Sequence, residues 1–389
     1  MRVVVVDVET TIRGGKTFGS SPYFPANKMV LLGTLQDEET NIYGTSGGIL
    51  DAILRLTSQP TLLIGHNITF DLQWMMRVAL DKGYTIDLRN ITIWDTQQAE
   101  YLLSGQDHLY PSLNDCCSAM GLPLKDDKIA KYWEDGVDTE DIPHEELREY
   151  LKHDLDVTWK LFLYQQEIFS HLPDLKKLAE IKMEDILYTT LMVWNGMNFD
   201  LSLAENHRVV LEGLIAANVS VWDGLIKDLQ DMGSIPSQWH PKITSNKDVG
   251  TLLFGGKCSW IEEESTGVVF KTGARAGQEK TRKVTKEASV PGLESGWGAF
   301  STKTGWKVDD EQLDLMTKVA DNPLAANVAT YVLANRALSK ELTTYIFGYS
   351  SVVSPLTARI HPTLNHCSTA TGRLSCVKPN LQNVSGVEN

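Results

Sequence analysis

The sequence predicts an α/β domain over its first ~185 residues and a mostly helical region after it. Two observations carry this. Val3 to Val6 is a β-branched run that ends in Asp7-Val8-Glu9, the pattern of a buried strand presenting polar groups at its C-terminal end. Glu145 to Phe169 places Leu147, Leu151, Leu155, Trp159 and Phe162 at steps of three or four residues, with Asp141 and Pro143 where helix-start signals belong. Met29 to Leu35 and Thr61 to Ile64 read as further strands of a central sheet.

Beyond that domain, helical periodicity dominates from Leu178 through Leu229, and Gly, Ser and Pro punctuate the chain around Gly233 to Pro236. Lys257 to Thr304 differs in kind. Its Gly, Thr and Ser content and short β-branched runs predict hairpins or a mobile insertion. Helix returns from Asp309 to Thr344. Thr357 to Leu364 alternates like a strand and leads into a Thr/Ser/Asn-rich loop. The segments expected are 1–185, 186–350 with the insertion near 257–304, and 351–389.

Met1-Arg2 leads directly into a very short apolar run, so neither a signal peptide nor a membrane span is expected there, and the location expected is cytoplasmic. Cys116, Cys117, Cys258, Cys367 and Cys376 form no C-x-x-C pair, which points to reduced thiols. His361, His366, Cys367 and Cys376 match no zinc-ligand spacing. The net charge of −14 lies wholly in residues 1–200, with 31 acids against 17 bases, while residues 201–389 hold 19 of each. An acidic total therefore leaves a nucleic-acid partner open. Between Lys271 and Lys286, the bases Lys271, Arg275, Lys280, Arg282, Lys283 and Lys286 meet one acid, Glu279. Such a run attracts phosphate; a solvated loop is the alternative.

Asp7 and Glu9, two apart on a strand, leave the same face, where they repel unless a cation lies between them. Alone they are also compatible with a plain strand-end pair. Asn67-Ile-Thr-Phe70-Asp71 follows the strand at Thr61 to Ile64, with Asn67 and Asp71 one helical turn apart. Tyr150 and Asp154, four apart on the Glu145 helix, stand side by side. Taken singly, Asp71 and Asp154 could be surface acids.

In this order the three segments resemble the Exo I, Exo II and Exo III motifs of the DEDD exonuclease superfamily, in its tyrosine-containing branch. The histidine branch would need His where this chain has Glu149, and His153 does not occupy that position. The resemblance implies a ribonuclease H-like fold and hydrolysis of a 3′ end with two Mg²⁺ (or Mn²⁺) ions, hard cations that prefer carboxylate oxygen. It further implies that Asp7 bridges both ions, Glu9 and Asp154 hold the nucleophile-side ion, and Asp71 supports the other through water. Tyr150 would orient the attacking water. Asn67 and Phe70 would position the terminal nucleotides, the latter by stacking. Thr10 would contact the same nucleotide, with capping as its alternative.

Thr369-Ala-Thr-Gly-Arg-Leu-Ser375 followed by Pro379-Asn-Leu-Gln-Asn383 resembles a signature of the DNA polymerase I family, family A. Arg336-x-x-x-Lys340 with Tyr345 is similar to that family's thumb helix, Arg359-Ile-His361 to its first palm strand, and Asn195-Gly196 with Asp200 to the element that opens its polymerase region. The resemblance implies a helical thumb and a partial palm. Arg373, Gln382 and Asn383 would contact the minor groove at the primer end, and Arg336 and Lys340 would grip phosphates. Lys271, Arg275, Arg282 and Lys283 of the basic run are further candidates for DNA contact.

The family's polymerase motifs A, B and C are not found in these 389 residues, and Val384-Ser-Gly departs from the usual isoleucine-proline after L-Q-N. The chain resembles the compact bacteriophage members, which lack a 5′-nuclease domain. The expectation is a proofreading and DNA-holding half of a split polymerase, acting on primer-template and single-stranded 3′ ends. A second polypeptide would supply the fingers and the rest of the palm, and no membrane is involved. If the protein is viral, its compartment is the host cytoplasm. A stand-alone ribonuclease D-like nuclease would share the acids but would not need T-A-T-G-R-L. A non-catalytic DNA-holding protein would not need the complete acid set.

Overall fold

The computed structural model describes residues 1–121, 127–294, 301–303 and 305–384. The chain packs as two units, residues 1–199 with 348–389 and residues 200–347. These units do not follow the three segments expected from sequence, because the stretch after residue 348 packs with the first 199 residues. Of the basic insertion, residues 295–300 and 304 lie outside the described residues, as does the departure from isoleucine-proline after Val384.

The first unit is built on a five-stranded sheet of β1 (Arg2–Thr10), β2 (Met29–Gln36), β3 (Glu39–Tyr43), β4 (Thr61–Gly65) and β5 (Ile91–Asp95), in the order β3-β2-β1-β4-β5. β1 runs antiparallel to β2 and parallel to β4, and β4 is parallel to β5. The helices are α1 (Gly15–Phe18), α2 (Ser46–Thr57), α3 (Thr69–Asp81), α4 (Thr96–Leu103), α5 (Leu113–Met120), α6 (Asp127–Glu134), α7 (His144–Ser170) and α8 (Pro173–Asn195). Central strands covered on both faces read as continuous apolar runs, and Val4, Val5, Val6, Leu31, Leu32, Leu63 and Ile64 are all core residues.

α7 lies against β1 and β2. Its apolar stripe buries Leu147, Leu151 and Leu155 completely, and its polar positions are left to build the site. Gly33, opposite Asp7 in the ladder, makes the approach possible: a Cβ there would lie 2.7 Å from Leu155 Cδ1 and 2.9 Å from Leu151 Cγ.

The helical run expected from Leu178 through Leu229 is broken in the structure. α8 stops at Asn195, Gly196 takes φ +63°, and β6 (Met197–Asn198) intervenes before Asp200 caps the next helix through the amides of Ser202 and Leu203. Periodicity alone hid this because both helices bury one face and the break is only five residues long.

The second unit holds α9 (Leu201–Asp231), α10 (Asn246–Phe254), the hairpin β7 (Gly256–Val269) and β8 (Glu279–Val290), a two-stranded ladder of β9 (Ser301–Thr302) and β10 (Gly305–Trp306), and the helices α11 (Asp310–Val319) and α12 (Pro323–Lys340). Its core gathers Trp222, Ile226, Leu229, Leu252, Leu313, Met316 and Val328. The helical stretch expected from Asp309 to Thr344 holds two α-helices, since Asn322 caps Leu324 and Pro323 opens a new first turn. Among the described residues α9 is long and apolar enough to cross a membrane; its Trp222, Ile226 and Leu229 are instead core residues of this unit.

Back in the first unit come β11 (Arg359–Ile360), β12 (Thr363–Asn365) and β13 (Ser375–Val377). The strand expected over Thr357 to Leu364 is two short ones, because Ala358 takes φ +54° and Pro362 has no amide to donate. β11 pairs with β6, and β12 pairs with β13. Arg359 donates to the Asn195 and Gly196 carbonyls, while a Cβ on Gly196 would lie 2.8 Å from the His361 ring. No disulfide joins the five cysteines, which are all buried.

Candidate active site

Side chains two apart on β1 share a face, and α7 crosses that face. Asp7 and Glu9 therefore meet Asp154, with carboxylate oxygens of all three within 4.8 Å of one another. Glu9 and Asp154 are buried and Asp7 is half-buried. A ladder irregularity between Glu9 and Thr10 ends the regular pairing with β2 beside these acids.

Asp71 stands in the first turn of α3 and is buried. It lies outside that three-acid cluster but feels the charge of Asp7. Burial first, and then Asp7, push its carboxyl well above the usual range, against the pull of the Asp71 and Val8 amides. Its Oδ1 is buried without a hydrogen-bond partner. A carboxylate in that position is costly unless a cation or donor meets it. The donors of the three-acid cluster are all carboxylates, with no Cys or His among them, a set that fits hard divalent cations.

Tyr150, one helical turn before Asp154, is half-buried with its ring edge-on to Trp133 at 5.9 Å. Asn67 adopts φ +61°, a left-handed conformation that Asn tolerates. Thr10 is buried and Phe70 half-buried.

Sequence reasoning missed Asp95, the last residue of β5. One of its oxygens accepts from the Asn67 amide (3.1 Å) and the other from that of Ile68 (3.0 Å), while the amides of Gln97 and Gln98 also bond to it. Burial raises its carboxyl above the ordinary range, and these four amides pull it back. One side chain thus caps α4 and fixes the turn that presents Asn67. The signal was present as an Asp between an apolar strand and Thr96-Gln-Gln, an N-cap pattern.

The polymerase-like residues fall in two places. Arg336 is engaged within the second unit, with Asp310 (2.6 Å), Asn246 (2.8 Å) and the Val308 carbonyl (2.9 Å). Lys340 is exposed at the end of α12. In the first unit, Arg373 is exposed on the loop between β12 and β13, which Thr369 braces by donating to the Arg373 carbonyl. Gln382 donates to the Leu374 carbonyl, and Asn383 is exposed. This loop is also tied to the exonuclease-like part: the Tyr101 hydroxyl donates to the Thr369 carbonyl (2.7 Å) and the Tyr110 amide to that of Cys367 (3.1 Å).

Residues 32–168 match the family described as 3′-5′ exonuclease, and residues 286–389 match DNA polymerase family A. Residues 32–168 are thus similar to a 3′–5′ exonuclease domain and residues 286–389 to part of a family A polymerase domain. The DNA polymerase I of Synechocystis is 26% identical over 364 residues, 90% of this chain and 29% of that protein. That of Geobacillus stearothermophilus is 40% identical over 83 residues, 21% of this chain and 9% of its own. The chain thus spans less than a third of either relative. The fold is similar to about half of the POL domain of Pol1 from M. smegmatis, solved in complex with DNA primer-template and dNTP: TM-score 0.61 at 17% identity, over 99% of this chain and 52% of that one.

Proposed function

We propose that this chain removes nucleotides from the 3′ end of DNA by two-metal hydrolysis, with Asp7, Glu9, Asp71 and Asp154 as the metal-holding acids and Tyr150 as the helper that defines the tyrosine branch. The observation that carries the reading is the convergence of Asp7, Glu9 and Asp154 within 4.8 Å beside a buried Asp71 whose Oδ1 lacks a partner. Asp7, Glu9 and Asp154 would hold one Mg²⁺ or Mn²⁺, and Asp71 with Asp7 would support the second. Such ions, when bound, supply water activation and charge neutralisation at the leaving oxygen. The chain's own contribution is placement. Tyr150 orients the attacking water, Asn67 and Thr10 hold the terminal nucleotide, and Phe70 stacks on a base.

The polymerase-like part would hold the primer duplex, with Arg373, Gln382 and Asn383 toward the minor groove and Arg336 and Lys340 toward phosphates. Polymerisation would need the fingers and the remaining palm in addition to these residues. The two-stranded ladders β6–β11 and β12–β13 fit a partial palm, since short pairs of this kind gain stability from neighbouring strands. A cytoplasmic location follows from this reading.

The test is hydrolysis of a 3′-recessed or single-stranded DNA by the purified chain with Mg²⁺ or Mn²⁺. Release of 5′-mononucleotides, absent in EDTA and absent when Asp7 and Glu9 are both alanine, is expected. Full activity of that double variant would overturn the assignment. For the duplex-holding role, the expected result is primer extension when these residues are combined with the fingers and the remaining palm, and none by these residues alone.

A further inference from the structure

The hairpin β7–β8 lies outside both matched family segments for all but its last few residues. Apart from the half-buried Phe270 it is exposed along both faces from Ser265 to Lys283, and its longer strand of 14 residues would reach roughly 45 Å at strand rise. An isolated two-stranded ribbon of that kind buries little and is marginal by itself.

Folding sorts the basic run that looked uniform in the sequence. Toward the base, cations are neutralised across the ladder: Lys286 and Arg282 both reach Glu264 (2.6 and 3.3 Å), and Lys257 faces Glu287 at 3.9 Å. From the tip inward, Lys271, Arg275, Lys280 and, between Arg282 and Lys286 on β8, Lys283 are exposed and make no ion pair among the described residues. Glu263, across the ladder from Lys283, is taken instead by the Thr281 hydroxyl. The tip is ordered around these charges. Phe270 and Gln278 close it through an amide–carbonyl bond of 2.9 Å, Gly277 returns to the Phe270 carbonyl at 2.9 Å, and Lys280 Nζ sits 5.2 Å from the centre of the Phe270 ring. Gly273 and Gly277, at φ +86° and +83°, make the turn.

We infer that the tip of this hairpin is a docking arm for the phosphate backbone of duplex DNA, gripping it without reading sequence through Lys271, Arg275, Lys280 and Lys283. The inference rests on the reading of the chain as a DNA enzyme and adds a grip remote in sequence from the thumb and palm motifs. Charge complementarity selects the partner, because Lys271 and Arg275 in the closed turn and Lys280 and Lys283 on β8, against the one acid Glu279 in that stretch, meet a polyanion with little ordering cost. The ribbon's form agrees, since a two-stranded β-ribbon fits the major groove. The large apolar side chains most exposed near the tip are Val268 and Val269, too small to anchor a protein interface.

The experiment is fluorescence anisotropy of a short blunt duplex with the whole chain, in EDTA so that hydrolysis plays no part, over a range of KCl. Changing Lys271, Arg275, Lys280 and Lys283 together to alanine should weaken binding at least about tenfold at low salt. It should also reduce the slope of log K against log[salt] by roughly 3 to 4, one step of about 0.9 for each phosphate no longer neutralised. Lys257→Ala with Lys286→Ala, which removes cations already paired, should leave the slope at its parental value. If the fourfold variant loses its far-UV circular dichroism, Arg275→Glu alone is read in its place, with the slope expected to fall by about one. A parental slope in the folded tip variants overturns the inference, whether the tip then meets an acidic protein or only water. Absence of exonuclease activity would sink the hydrolytic reading and leave this measurement intact.

Discussion

Gly33 stands directly across the ladder from Asp7, and the space a side chain would take there is filled by Leu151 and Leu155 of α7. The same packing that seals the core therefore sets how close Asp154 comes to Asp7. Gly33→Val should push α7 outward while leaving the sheet intact. We expect 3′-end hydrolysis to fall by about two orders of magnitude, the scale of a 1 Å misplacement, with Gly33→Ala intermediate. Single-turnover rates on single-stranded DNA, with circular dichroism as the folding control, check this. Full activity of the valine variant would show that α7 is positioned by something else.

Tyr150 and Asp154 share one helix turn but are expected to fail differently. Asp154→Ala should lower both metal affinity and rate, because it removes an acid from the three-carboxylate cluster. Tyr150→Phe should slow hydrolysis with metal affinity nearly unchanged. Calorimetric Mn²⁺ titration of both variants separates the roles, and loss of Mn²⁺ binding in Tyr150→Phe would make the phenol a ligand.

Asp95→Ala leaves four backbone amides without their acceptor. Charge-assisted bonds of this kind, lost in a buried place, put the expected destabilisation at about 3 kcal/mol by urea unfolding. Activity should also drop, because Asn67 would lose the brace on its left-handed turn. A variant as stable as the parent would mean that water replaces the carboxylate.

His361 and His366 make stability pH-dependent. Burial lowers the pKa of both below the ordinary 6.5, Arg359 adding to the effect at His361 and Asp185 opposing it at His366. The unfolded chain takes up these protons near pH 6.5, while the folded chain resists until lower pH. Their contribution is thus complete above about pH 6.5 and is lost as pH falls toward the folded values. His361→Phe, which can keep the stack on Tyr23, should flatten the decline between about pH 7 and 5. An unchanged slope would assign the decline to other groups.

The sequence was most readable where one period governed a long segment. β1 and α7 were legible within a residue or two, and with them the acids they carry, because strand and helix periods fix which side chains share a face. Legibility failed where local chemistry interrupts a period: the Gly196 break between α8 and α9, the Asn322-Pro323 restart, and the split at Pro362. Partners were the least legible. Nothing in the spacing of Arg282 and Lys286 says that Glu264 neutralises both, or that Arg336 bonds to Asp310 and Asn246, since those pairings depend on ladder register and helix packing.

The first unit is discontinuous, leaving off at Phe199 and resuming at Gly348, where the Phe199 and Tyr349 rings meet at 6.1 Å. During synthesis, β6 must wait for β11 until residues 200–347 have been made. A detour of that length would cost closure entropy if it stayed slack, and that cost shrinks once the detour has folded into a body of its own. The second unit is thus in the position to act as an internal folding scaffold for the seam at β6–β11, so that damage to its core would surface as late, incomplete assembly of the first unit on the ribosome.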